Sequence, residues 1–162
     1  MKRQKIYLDT SVISHLEAPD RPDWMADTRK LWEYIKAGRY EVALSPVDIQ
    51  EVNDCKEPKL SALAKHLQEI SYTLLEETDE VTDLATRYLN AGVLTEKSFD
   101  DCQHIAYACV YNCDMIISWN FKHMVNVNTI TGVKGVNALA GYKEMPIYTP
   151  TMLISGGIED DT

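Results

Sequence analysis

No apolar run in the chain approaches the ~18–20 residues needed to cross a bilayer, since the longest is Ile105 to Tyr111. Its start, Lys2-Arg3-Gln4-Lys5, is basic in the manner of a signal peptide, but only Ile6, Tyr7 and Leu8 follow before Asp9 interrupts them. A cytoplasmic protein without a membrane partner is therefore expected. The four cysteines, at 55, 102, 109 and 113, form neither a CxxC pair nor a zinc-ligand spacing. Buried thiols are expected, although Cys109 and Cys113 at i,i+4 with His104 nearby leave a metal site conceivable. Basic residues are scarce beyond residue 65, where five face fourteen acidic ones, while residues 1–65 carry eleven of each. A diffuse basic field for nucleic acid is thus excluded, and any phosphate contact needs a local patch or metal ions.

What is present suits one globular domain: 162 residues, 45% of them in the AVILMFWYC set, 25% charged, with net charge −9. No repeat or linker interrupts it, so the domain is expected over 1–154, with 155–162 a flexible acidic tail.

Strand and helix signals alternate. Residues 4–8 read as a buried strand ending at Asp9, with a helical turn from Ser11 to Leu16. Trp24, Thr28, Leu31, Trp32 and Ile35 form a helical stripe ended by Gly38. Strands follow at 41–44, 72–75, 115–118 and 146–148. Helices are expected from Pro46 to Asp54, from Pro58 to Glu69, from Thr78 to Gly92, from Ser98 to Asn112 and from Val127 to Ala140. This order predicts a three-layer α/β/α fold around a central, mostly parallel twisted sheet, whose ligands bind at the carboxyl ends of the strands.

Carboxylates cluster at those ends. Asp9 closes the first strand, where it either caps the next helix or meets a cation. Glu51 lies one and a half turns into a helix whose capping-box place, relative to Ser45, is filled by Asp48. Asp101 fits a capping box with Ser98, yet shares a face with His104, Ile105 and Ala108, which favours it over Asp100 as the inward residue. The fourth strand ends in Ser118-Trp119-Asn120-Phe121-Lys122-His123, where Asn120 is a turn residue or a site residue. Lys122 and the two aromatics could grip a phosphate and stack a base, or simply pack. Three like charges at one sheet edge call for a divalent cation, and oxygen donors favour Mg²⁺ or Mn²⁺ over zinc.

Four segments, Leu8-Asp9-Thr10-Ser11, Ile49-Gln50-Glu51-Val52, Asp101-Cys102-Gln103-His104-Ile105-Ala106 and Ser118-Trp119-Asn120, resemble in order the pattern of the PIN-domain family over residues 5–150. The resemblance implies a metal-dependent endoribonuclease, and many bacterial members are VapC-type toxins held inactive by an antitoxin. Carried over by position, Asp9, Glu51 and Asp101 would bind the metal. Asn120 stands where members often have a fourth Asp, which disfavours tight binding of a second ion. Ser11 and Ser118 would position metal-bound water or phosphate. Lys122, His123 and His104 are expected at the substrate, with Lys2, Arg3 and Lys5 along the same edge. RNA, an antitoxin and a second copy in a homodimer are the expected partners. The alternative is a PIN-like RNA- or protein-binding module with weak or no cleavage. A haloacid-dehalogenase-type phosphatase would want an Asp where Ser11 stands, and a receiver domain a lysine after the last strand, where the chain reads Met145-Pro146-Ile147-Tyr148-Thr149.

Overall fold

The computed structural model describes residues 2–155, so the expected tail lies, but for Ser155, outside the described residues. Five strands, β1 (Gln4–Leu8), β2 (Tyr40–Leu44), β3 (Thr73–Leu74), β4 (Met115–Ile117) and β5 (Ile147–Tyr148), make one sheet in the order β3-β2-β1-β4-β5. Every pairing is parallel, with Ile6 opposite both Val42 and Met115. Each crossover carries helix: α1 (Thr10–Ser14) and α2 (Pro22–Lys36), then α3 (Pro46–Asn53) and α4 (Lys59–Gln68), then α5 (Asp79–Asn90) and α6 (Phe99–Val110), then α7 (Val127–Ala140). A parallel strand cannot return by a hairpin, so the helices are a consequence of the sheet. The architecture is the α/β arrangement expected, compatible with a PIN-like fold.

Both faces of the sheet are covered, which is why its strands read as unbroken apolar runs. Ile6, Leu8, Val42, Leu44 and Ile117 point into one core with Leu31, Trp32 and Leu63. Tyr7, Ala43 and Ile116 point into the other with Leu84, Tyr88, Ile105 and Tyr107. Cys102, Cys109 and Cys113 are buried free thiols in that second core. A last helix, α8 (Pro150–Ser155), packs on α2 and was not anticipated, being only six residues long. None of the described helices is long and apolar enough to cross a membrane.

The chain fills β1, β2 and β3 to one side, then returns to place β4 and β5 on the other. β1 is therefore the point where the strand order reverses, and in open parallel sheets the carboxyl end at such a point, here between β1 and β4, is where ligands bind. Lys2, Arg3 and Lys5 lie at the start of β1. Four residues of strand at ~3.3 Å each put Lys5 about 13 Å from Asp9, and Arg3 and Lys2 precede it in the chain. Arg3 instead donates to the Gly38 carbonyl and Lys5 to that of Tyr111. The expectation that these cations flank the site is thus corrected by the polarity of the strand.

Candidate acidic site at the carboxyl end of the sheet

Asp9 sits where β1 gives way to α1, with 2% of its surface exposed. It is the N-cap of α1, accepting from the Val12 N–H at 3.4 Å. Capping is the lesser part of its contacts. Ser11 Oγ donates to Oδ1 and Ser118 Oγ to Oδ2, both at 2.5 Å. The two serines also order the β4 loop: Trp119 N–H donates to Ser11 Oγ and Asn120 N–H to Ser118 Oγ, each at 2.9 Å. Ser11 and Ser118, expected as positioning groups, hold Asp9. Burial pushes the Asp9 carboxyl above its usual range, against the pull of His104 and the serine bonds.

Glu51 reaches this end of the sheet from α3, whose start is built as the sequence implied. Ser45 caps it and the Asp48 carboxylate returns to the Ser45 N–H at 3.0 Å. Glu51 is not on a solvated face. Its Oε1 accepts from Thr10 Oγ1 at 2.7 Å and lies 2.8 Å from His104 Nε2. His104, expected at the substrate, is 2% exposed, too little for a ligand to touch. Its Nδ1 lies 2.6 Å from the Tyr7 hydroxyl, which lies 2.8 Å from Ser45 Oγ. The imidazole therefore holds α3 and β1 together through polar partners on both ring nitrogens.

The charges around this imidazole explain its state. Burial drives its pKa down, but Asp48, Glu51 and Asp9 outweigh burial and push it up to about 9. Asp48, fully buried, is pushed up to about 7 by desolvation, against His104. Partial burial raises Glu51, yet the His104 bond and charge and the Thr10 hydroxyl bring it below the usual range. The carboxylates around His104 thus favour its protonated form.

Asp101 enters from the first turn of α6. The Ser98–Asp101 capping box does not form: Ser98 makes no side-chain cap and its Oγ faces the His123 ring at 3.3 Å. Asp101 turns inward, as its apolar neighbours implied, while Asp100 is exposed. Its Oδ2 lies 3.1 Å from His123 Nδ1. Burial and the negative charges of Asp9 and Glu51 push the Asp101 carboxyl up, against His104 and His123. Asp101 therefore feels the charges of Asp9 and Glu51. The three acids do not form a closed ligand set: among the described residues no three His, Cys, Asp or Glu side chains are grouped to hold a metal ion. In charge and donor type the set fits a hard divalent cation, with Glu51 and Asp101 at present turned to histidines.

Asn120 serves the turn: its Oδ1 accepts from the His123 N–H at 2.9 Å. Lys122 is exposed beside it. Trp119 is buried, its indole N–H donating to Thr28 Oγ1 at 2.8 Å and its ring stacked 4.6 Å from that of Trp24. Phe121 stays 46% exposed. The sequence reading assigned no site role to Thr10, Tyr7, Ser45 or Asp48. Ser45 and Asp48 carried a signal only as the N-cap and capping-box residues of a helix, and nothing local marks Asp48 for full burial.

No protein-family model matches the chain, and no curated protein matches it. Among solved structures, the chain is similar to one in the crystal structure of VapBC2 from Rickettsia felis bound to a DNA fragment from their promoter, with a TM-score of 0.58 and 14% identity. The match covers 90% of this chain and 98% of the other. What the two share is the fold.

Proposed function

We propose that the protein is a Mg²⁺- or Mn²⁺-dependent endoribonuclease whose metal-binding carboxylates are Asp9, Glu51 and Asp101. The observation that supports this reading is the placement of three acids from separate segments at the carboxyl end of the sheet, with the charges of Asp9 and Glu51 among the causes that push the Asp101 carboxyl up. Such repulsion is relieved by a bound dication or by protons. When bound, the cation would supply an acidified water and stabilise charge on a phosphate. The chain's own contribution is orientation. Ser11 and Ser118 fix both oxygens of Asp9, Thr10 and His104 fix Glu51, and His123 fixes Asp101. His123, one-third exposed, is the imidazole that a phosphate at this edge could meet.

The similarity in fold to a VapBC2 chain supports extending the proposal to an antitoxin partner, a protein that would co-purify from a small neighbouring reading frame. A second reading, a binding module without cleavage, is favoured by one observation: the Asn120 amide oxygen is committed to the turn, leaving three acids rather than four. Ribonuclease assays in Mg²⁺ or Mn²⁺, against EDTA and against Asp9→Asn and Asp101→Asn, decide between them. Metal-dependent cleavage lost in both variants supports the enzyme, and full activity in either removes the assigned site.

A further inference from the structure

A groove of about 380 Å³ opens beside the acidic site, between the turn after β4 and the start of α7, and is lined in part by Val93, Leu94, Phe121, Lys122, Val127 and Asn128. Its lining contains one cation and no carboxylate. In a chain of net charge −9 that is a distinction. Three other surface cavities carry Glu41 and Glu69, Glu80 and Asp83, and Glu33 and Glu69 in their walls. Of these four, this one alone can accept a phosphate without a carboxylate opposing it.

The backbone of the turn that carries the exposed aromatic is closely hydrogen-bonded. Asn126 Nδ2 donates to the carbonyls of both Phe121 and Lys122 at 2.9 Å. The Asn120 carbonyl accepts from the N–H groups of Met124 and Val125, and Thr129 Oγ1 donates to the His123 carbonyl at 2.8 Å. Behind Phe121 stands Trp24, at 5.5 Å between ring centroids, itself stacked on Trp119. A ring nearly half exposed on so tightly bonded a turn is prepared for stacking at little loss of freedom. By contrast, the charged end of Lys122 and the amide of Asn128 have no partner among the described residues. Lys122 is next in the chain to His123, which reaches Asp101, so one wall of the groove belongs to the turn that borders the acidic site.

We infer that this groove is a subsite for one unpaired nucleotide flanking the scissile phosphate, with Phe121 stacking the base, Lys122 meeting its phosphate and Asn128 bonding the base edge. The inference rests on the ribonuclease reading and adds the residues of this chain that would take the nucleotide beside the scissile bond. A paired base cannot present its face to Phe121, so the duplex is discriminated against by geometry.

Binding is measured in EDTA, where cleavage does not intervene, by anisotropy of a short fluorescein-labelled single-stranded RNA of mixed sequence. Phe121→Ala is expected to weaken binding about five- to one-hundred-fold, and Phe121→Trp to retain it. Lys122→Ala should lower the slope of log affinity against log salt by about 0.7, and the same sequence as duplex should bind more weakly than the single strand. Affinity unchanged in Phe121→Ala, or equal for duplex and single strand, overturns the subsite and leaves the groove to a protein partner. A protein that binds through Phe121 yet cleaves nothing with either metal keeps the subsite and loses the nuclease.

Discussion

Replacing His104 by alanine tests the protonated imidazole directly. The imidazole is 2% exposed, lies 2.6 Å from the Tyr7 hydroxyl and 2.8 Å from Glu51, and has Asp48 at 3.8 Å. Breaking a buried ionic pair by removing one partner costs about 3–5 kcal/mol. Asp48 already sits at about 7 and can take up a proton in response, so the lower end, about 3 kcal/mol, is expected. For a domain of this size that is a fall in Tm of about 6–12 °C, read by differential scanning calorimetry at pH 7 in EDTA. The pH dependence has a definite sign. His104 rises from 6.5 to about 9 on folding, so its stabilisation is complete below pH 6.5 and is lost as pH climbs to 9. The folded state then holds the extra proton, and stability declines by up to about 1.4 kcal/mol per pH unit. Asp48, raised from 3.8 to about 7, acts in the same direction at lower pH. The double variant Asp48→Asn/His104→Gln should flatten the wild-type decline between pH 6.5 and 9. A loss below about 1 kcal/mol in His104→Ala, or an unchanged decline in the double variant, refutes the buried imidazolium.

Other outcomes follow from single contacts. Tyr88→Phe should lose about 1–3 kcal/mol in urea unfolding, because the buried Tyr88 hydroxyl donates to Asn137 Oδ1 at 2.6 Å and the variant leaves that acceptor unpaired. Gly141→Ala should lose about 1 kcal/mol by the same assay, since residue 141 closes α7 at φ 87°, in the left-handed region. Trp119→Ala should lose about 3–5 kcal/mol, because it vacates the stack against Trp24 and strands the Thr28 hydroxyl contact. In Mg²⁺, Glu51→Gln should abolish ribonuclease activity while leaving the fold intact by circular dichroism.

The layers of the fold were legible because both faces of a parallel sheet are buried, and strand ends bounded by Asp9, Ser45 and Ser118 mark where each run of apolar residues stops. Asp101 could be separated from Asp100 because helical spacing puts it over Ile105 and Ala108, and the structure turns it inward. The His104 contacts were hidden for the opposite reason. Glu51 and His104 are 53 residues apart and meet because α3 packs against α6, with the Tyr7 hydroxyl of β1 between Ser45 and His104. Local spacing placed His104 on the face of Asp101, whereas its partners come from β1 and α3. Lys5 and Arg3 illustrate a different gap: adjacency to Asp9 in sequence suggested adjacency in space, and strand direction separates them.

The reading depends most on whether acids turned at present toward His104 and His123 accept a dication together. Isothermal titration of the metal-free protein with Mn²⁺ measures this without requiring an RNA. Micromolar binding in the wild type, lost in Asp9→Asn, Glu51→Gln and Asp101→Asn, is the expected result. Absence of binding in the wild type, or equal affinity in all three variants, contradicts it.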